Sequence, residues 1–482
     1  MAMAGGSAPN ILWYCTDQQR FDTIAALGNP HAHTPTLDRL VAEGVSFTHA
    51  YCQNPICAPS RASFMTGRYP SAVGVTGNGN DYFPPAAEAT LVSRLLAEAG
   101  YDCGLAGKLH LAGCERRREP RAADGFRFFQ WSHSSRDNWP PGEHDYADWL
   151  RTRGYDPAAV LNLKHARKDR ALRPSHDDDN VPPDLHQTTW CSEMALEFLA
   201  GATEPWLLCV NPFDPHPPFN PPWEYWRRFD VEDLPGAHFR PGDLQFQARL
   251  AEAGVDFQRP AVHPDVIDAP ALQAAYYAMI ELIDDQFGRL LRWLEAAGQR
   301  ANTIVIFTSD HGEMLGDHGL VQKGCRFYEG AVRVPLIWSW PGQFEAGLRS
   351  EALVELTDIA PTLLERAGRS VPERMQGNSL LPILTGTAAP DEQRAFVRSE
   401  YHDSSSGPHQ TQATMYRDRR WKLITYHSHR VGELYDLASD PWEHHDLWND
   451  PGHAELRHDL TQRSFDAAVL ALDPGPPRTM RH

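Results

Sequence analysis

Two short polar pairs, Asp17-Gln18 and Asp310-His311, each stand directly behind an apolar, strand-like run, NILWYC at 10–15 and TIVIFT at 303–308. Carboxylate and carbonyl oxygens brought together suit a hard divalent cation. The imidazole admits a borderline metal such as manganese, and the amide at 18 lowers the negative charge of the group. Lys108 and His110 follow a third strand-like run at 101–106, where alternation puts both on one side of an extended chain. His216 lies in Asp214-Pro215-His216-Pro217-Pro218, a loop stiffened by proline, behind the apolar run 206–210. Lys323 follows a glycine-containing segment and reaches on a flexible stem. Cys57 opens Cys57-Ala58-Pro59-Ser60-Arg61 behind a proline turn, and taken alone it reads as a buried cysteine at a helix start.

The elements that must carry these residues follow a regular grammar. Residues 36–44 have helical spacing closed by Gly44. A helix at 90–100, closed by Gly100, precedes the strand 101–106, and a helix at 190–199 precedes the strand 206–210. A long amphipathic helix at 271–298 leads into 303–308. Such alternation indicates an α/β domain with a mostly parallel central sheet flanked by helices, whose ligands collect at the carboxyl ends of the strands. Periodicity fades over 111–183 and 211–270, which read as long excursions over a site. Their tryptophans, Trp131, Trp139, Trp149, Trp223 and Trp226, are expected either to form an aromatic wall for a substrate or to belong to the core. After Leu384 short strand-like runs at 395–400, 413–416, 421–426 and 434–437 and a helix at 454–472 predict a smaller α+β domain with an antiparallel sheet. The expected division is 1–385 and 386–482.

Composition narrows the classes. The chain has 482 residues, 41% hydrophobic and 22% charged, with a formal charge of -18, which argues against a nucleic-acid-binding surface. No run approaches the roughly 18 apolar residues of a membrane span, and the first ten residues lack the charged and apolar regions of a signal peptide. Eight cysteines without C-x-x-C spacing fit neither a disulfide scaffold nor a zinc ribbon. A cytoplasmic protein is expected.

The stretch from Cys57-Ala58-Pro59-Ser60-Arg61 to Thr66-Gly67 resembles the modification signature of the sulfatase family, in which the cysteine is oxidised to formylglycine. Residues 100–110 are similar to the second family signature, with Cys103 and Leu109 as departures that leave Lys108 and His110 in place. Asp214 to Phe219 looks like the family's P-H-x-P-F loop, and Lys323 matches the lysine behind its D-H-G-L segment. Arg333 to Ile337, and Leu434 to Leu437 with Asp440-Pro441 and Glu443, resemble framework motifs. The likeness runs from Asn10 to about Asn449. Most members carry Asp-Asp and Asp-Asn; Asp-Gln and Asp-His is the variant of choline-sulfatase-like and phosphonate-monoester-hydrolase-like branches.

The resemblance implies an alkaline-phosphatase-like large domain and hydrolysis of an aryl, alkyl or carbohydrate sulfate ester by a hydrated formylglycine derived from Cys57. One oxygen of the gem-diol attacks sulfur and the other later expels sulfate. It further implies one divalent metal, calcium first and manganese or magnesium next, held by Asp17, Gln18, Cys57, Asp310 and His311. Arg61 would stabilise the alkoxide, with Asp310 as base. Lys108 and Lys323 would neutralise the sulfuryl group, His216 or Lys323 would protonate the leaving alcohol, and His110 would deprotonate the second hydroxyl. A formylglycine-generating enzyme is the implied maturation partner, and a homo-oligomer is left open. Rival readings are a phosphonate monoester or phosphodiester hydrolase using the same site, and a binder of sulfated ligands without turnover.

Overall fold

The computed structural model describes residues 8–134, 139–161, 180–255, 259–405 and 411–472. The first sheet has nine strands: β1 (Asn10–Thr16), β2 (Val45–Tyr51), β3 (Asp102–Gly107), β4 (Phe128–Trp131), β5 (Trp206–Asn211), β6 (Thr303–Ser309), β7 (Arg333–Val334), β8 (Leu336–Ser339) and β9 (Leu348–Glu355). Strands β4-β3-β5-β1-β6 are consecutive neighbours, all parallel. Beyond them β6 pairs antiparallel with β8, and β2 pairs antiparallel with β7 and β8 and parallel with β9. The mostly parallel sheet expected from the sequence is present. Strands β2, β4, β7, β8 and β9 were not anticipated, because none shows a run long or regular enough to stand out locally.

Burial explains the apolar runs. Every residue of β1 and β6 is buried, and alternation sends their side chains into two different cores. Ile11, Trp13, Ile304 and Ile306 enter one. Leu12, Tyr14, Val305 and Phe307 enter the other. Trp13 meets Phe64 of α1 (Cys57–Thr66) at 5.3 Å between ring centroids. On the opposite face Tyr14 meets Phe287 of the long helix α4 (Ala269–Ala296) at 5.1 Å. Helices α2 (Gln187–Gly201) and α3 (Pro241–Glu252) precede α4 in the chain.

The excursions hold more regular structure than their composition suggests, including β4, the helix Asp145–Thr152 and α3; part of the first, 162–179, lies outside the described residues. A second sheet, β10 (Val397–His402), β11 (Gln412–Arg417), β12 (Trp421–Tyr426) and β13 (Val431–Asp436), is antiparallel throughout. Helix α5 (Ala454–Leu470) packs on it through Leu460 and Ala467 against Tyr416, Leu423 and Leu434. Among the described residues no helix is long and apolar enough to cross a membrane. No disulfide joins any of the eight cysteines, and all but the half-buried Cys114 are buried.

Candidate active site

Asp17, Lys108 and Asp310 each directly follow their strands, β1, β3 and β6, and the loop 212–218 follows β5. Parallel neighbours end on the same side, so these residues converge without any long-range steering. Gly107 makes the junction after β3 possible. Its φ is +117°, and a Cβ there would lie 2.1 Å from the carbonyl oxygen of Asn211. That approach lets the Lys108 N–H donate to Asn211 O at 2.8 Å, while Asn211 Nδ2 donates to Lys108 O at 2.8 Å.

Cys57, first residue of the wholly buried α1, faces the same point. Its Sγ is 3.2 Å from His311 Nε2, 3.0 Å from Lys323 Nζ and 3.7 Å from Asp17 Oδ1. Ligand atoms of Asp17, Cys57, Asp310 and His311 all lie within 4.8 Å of one another. One turn into α1, Arg61 donates from Nε to Asp310 Oδ2 at 2.8 Å and from Nη1 to Lys108 O at 2.9 Å, with Nη2 3.5 Å from Asp17 Oδ2. Lys108 Nζ pairs with Asp17 Oδ2.

Burial alone would raise the Cys57 thiol, but Lys108, Lys323 and His311 outweigh it and hold the group well below its ordinary value. Position 57 is therefore built for a negative atom. Asp17 is held down against its burial and the neighbouring Cys57 sulfur, chiefly by Lys108, with His216 and Arg61 adding. Asp310 is pushed up by burial and by neighbouring Asp17, which Arg61 only partly offsets. Two crowded buried carboxylates are what a divalent cation would relieve, and the donor set fits one. His311 Nδ1 donates to Gly312 O at 3.0 Å, which leaves Nε2 as a lone-pair donor facing Cys57 and both aspartates.

Gln18 has a left-handed backbone, φ +70°. Its Oε1 accepts from Lys323 Nζ at 2.6 Å, and its Nε2 donates to Glu313. Glu313 therefore turns the amide oxygen inward, and it also accepts from the N–H of Gln322 beside Lys323. His110, likewise left-handed at φ +57°, is set by Glu119, whose carboxylate accepts the N–H groups of His110, Leu111 and Ala112 at 2.7, 2.7 and 3.1 Å. Glu313 and Glu119 were missed by sequence reading. Glu313 directly follows the Asp-His-Gly segment and could have been suspected; Glu119 is hidden in an arginine-rich stretch.

His110 and His216 both face the Cys57 sulfur. Burial lowers them to about 4 and about 3 respectively, with Lys108 adding to the first shift and Lys323 to the second. His216 Nδ1 contacts Pro217 O at 2.8 Å, so the neutral ring carries its proton there and Nε2 is an acceptor. A cleft of about 790 Å³ opens beside His110, lined also by Asn80, Asp81, Arg116, Arg117 and Trp139. The tryptophans do not make an aromatic wall. Trp131 is fully buried and Trp139 is 2% exposed, together packed around His144, while Trp226 lies in another core. Of the five, Trp139 alone borders the cleft.

The profile of the sulfatase family matches residues 9–369. The chain belongs to the sulfatase family. A second profile, the C-terminal region of N-sulphoglucosamine sulphohydrolase, matches 316–468. The sulfatase is 30% identical to an arylsulfatase of Clostridium perfringens, over 93% of this chain and 92% of that one. It is 29% identical to a choline-sulfatase of Rhizobium meliloti, over 96% and 88%. Its fold superposes on the phosphonate monoester hydrolase of Agrobacterium radiobacter with a TM-score of 0.78 and 26% identity, over 96% of both chains. Family and relatives make this sulfatase an enzyme, a sulfuric ester hydrolase of alkaline-phosphatase-like fold.

Proposed function

We propose that the sulfatase hydrolyses the sulfate monoester of a polar alcohol, with Cys57 matured to formylglycine by a formylglycine-generating enzyme. The observation that carries this reading is the cationic cage around position 57, where Lys108, Lys323 and Arg61 surround an atom built to be negative. Asp17, Asp310, His311 and the carboxamide oxygen of Gln18 would hold one divalent cation, calcium first and manganese or magnesium as alternatives. That ion would supply Lewis acidity to the nucleophile and to the sulfuryl oxygens, and the hydrated aldehyde a nucleophilic oxygen with a second ionisable hydroxyl.

The protein's own groups divide the remaining work. Arg61 and Lys108 hold Asp17 ionised and offset charge on the nucleophile, while Lys108 and Lys323 face the sulfuryl oxygens as negative charge grows. Asp310 accepts the nucleophile's proton. His110, neutral and anchored through Glu119, accepts the proton of the second hydroxyl. The two leaving-group candidates differ in hydrogen inventory. His216 is neutral with its proton held by Pro217 O, whereas Lys323 already donates from Nζ toward Cys57 and Gln18. We therefore assign proton donation to the leaving oxygen to Lys323. The polar rim of the cleft, with Asn80, Asp81, Arg116 and Arg117, favours a sugar-like alcohol over a bare aryl group.

A phosphonate monoester is the second reading, favoured by the similarity to the phosphonate monoester hydrolase. Sulfate and phosphonate monoesters present the same singly charged tetrahedron to the cage. Rates on matched phenyl sulfate and phenyl phosphonate, with carbohydrate and choline sulfates beside them, decide between the two. Sulfate release by the matured wild type that Cys57→Ala reduces by at least ~10³-fold, the order expected for loss of a nucleophile, supports the proposal. Equal rates in that variant, or unmodified Cys57 in active protein, would sink it.

A further inference from the structure

Outside the catalytic centre a second set of metal-type donors converges where three parts of the chain meet. Asp243 lies in the first turn of α3, His318 in the loop between β6 and Lys323, and His444 behind β13. His444 Nδ1 is 3.2 Å from both carboxylate oxygens of Asp243, and His318 Nδ1 is 3.6 Å from Asp243 Oδ2. Their ligand atoms all lie within 4.8 Å of one another. The side chains are 6%, 4% and 5% exposed respectively.

Hydrogen bonding holds His444 on Asp243 but does not account for the placement of His318. At 3.6 Å the His318 nitrogen is beyond hydrogen-bond reach of the carboxylate at which it points. Donors around a tetrahedral ion with bonds of ~2.0–2.1 Å sit roughly 3.3 Å apart, close to the 3.2 and 3.6 Å that separate the two imidazoles from the Asp243 carboxylate. The donors are also held in place. Asp243 Oδ2 accepts the N–H of Arg240 at 2.8 Å, fixing the carboxylate. The His318 ring stacks on Tyr328 at 3.9 Å, and its backbone keeps a left-handed φ of +54° with the N–H donating to His238 O at 3.0 Å. A strained backbone beneath a buried, aimed imidazole is typical of a functional position.

We propose that Asp243, His318 and His444 form a second metal site, for a borderline divalent ion such as zinc, which clips the loop leading to Lys323 onto α3 and the C-terminal part of the chain. Two imidazoles and one carboxylate select zinc over the oxygen-loving calcium proposed for the catalytic centre, with water as the fourth ligand.

The test needs no substrate and stands apart from the catalytic reading. Full-length protein is stripped of metal, refilled with excess calcium, equilibrated with zinc chloride, and assayed for bound zinc and for thermal midpoint. Zinc content is expected to fall by about one ion per chain in His444→Ala and in Asp243→Asn. Zinc should raise the midpoint of wild type and of His311→Asn, which removes a catalytic-centre donor, but not of His444→Ala. Far-UV circular dichroism identifies folded variants, and His444→Gln replaces His444→Ala if the latter does not fold. A folded His444 variant that binds as much zinc as wild type overturns the proposal. So does wild-type zinc binding that His311→Asn abolishes entirely.

Discussion

At the scale of single residues the site separates groups that hold charge from groups that move protons. Lys323 and His216 both face position 57, yet one approaches with N–H groups and the other with a lone pair. An acid that donates to the leaving oxygen matters most when that oxygen is a poor leaving group. Lys323→Ala is therefore expected to steepen the dependence of kcat/KM on leaving-group pKa across a series of aryl sulfates, slowing alkyl-like esters more than nitrophenyl esters by at least ~10-fold. His216→Ala should leave that slope close to wild type. The reverse pattern would transfer the acid role to His216.

At the scale of elements the site depends on how closely β3 and β5 end together. Gly107 lets two backbones touch where any Cβ would overlap a carbonyl, and Lys108 hangs from that junction. Gly107→Ala brings both a left-handed φ penalty and a steric overlap, and should cost about 2–4 kcal/mol in chemical denaturation. Activity should fall alongside, because the Lys108 ammonium and the Arg61 contact to Lys108 O shift together. Unchanged stability would mean that the junction relaxes freely.

For the whole molecule, buried neutral histidines make acid a destabilising condition. His144 is buried beneath Trp131 and Trp139, where its Nδ1 accepts the Ala147 N–H that opens the helix Asp145–Thr152. Burial lowers its pKa from 6.5 to about 3. The unfolded chain takes up a proton near pH 6.5 that the folded chain refuses until about pH 3. Stability present above pH 6.5 is therefore lost progressively as pH falls through that window. Urea unfolding at pH 7 and pH 5 should show this loss, and His144→Gln should show a smaller one. An equal loss in the variant would place the acid sensitivity elsewhere, His133 and His216 being lowered in the same way.

Much of the site was legible in the sequence because its grammar is local. An apolar run that ends in a polar pair must be a buried strand delivering that pair to its carboxyl end. Parallel neighbours then bring Asp17, Lys108 and Asp310 together whatever else the chain does. The motif around Cys57 is likewise contiguous, and α1 presents Cys57 and Arg61 to the same point one turn apart. Contacts between distant segments carry no such signature, and only the tertiary structure decided them. Sheet order gave β2 partners on β7, β8 and β9. Loop packing set Glu119 under His110 and Glu313 behind Gln18. Burial drew Trp131 into the core and left Trp139 alone of the five at the cleft. The meeting of Asp243, His318 and His444 belongs to the same class, since no spacing along the chain relates three residues that only the docking of the second sheet brings side by side.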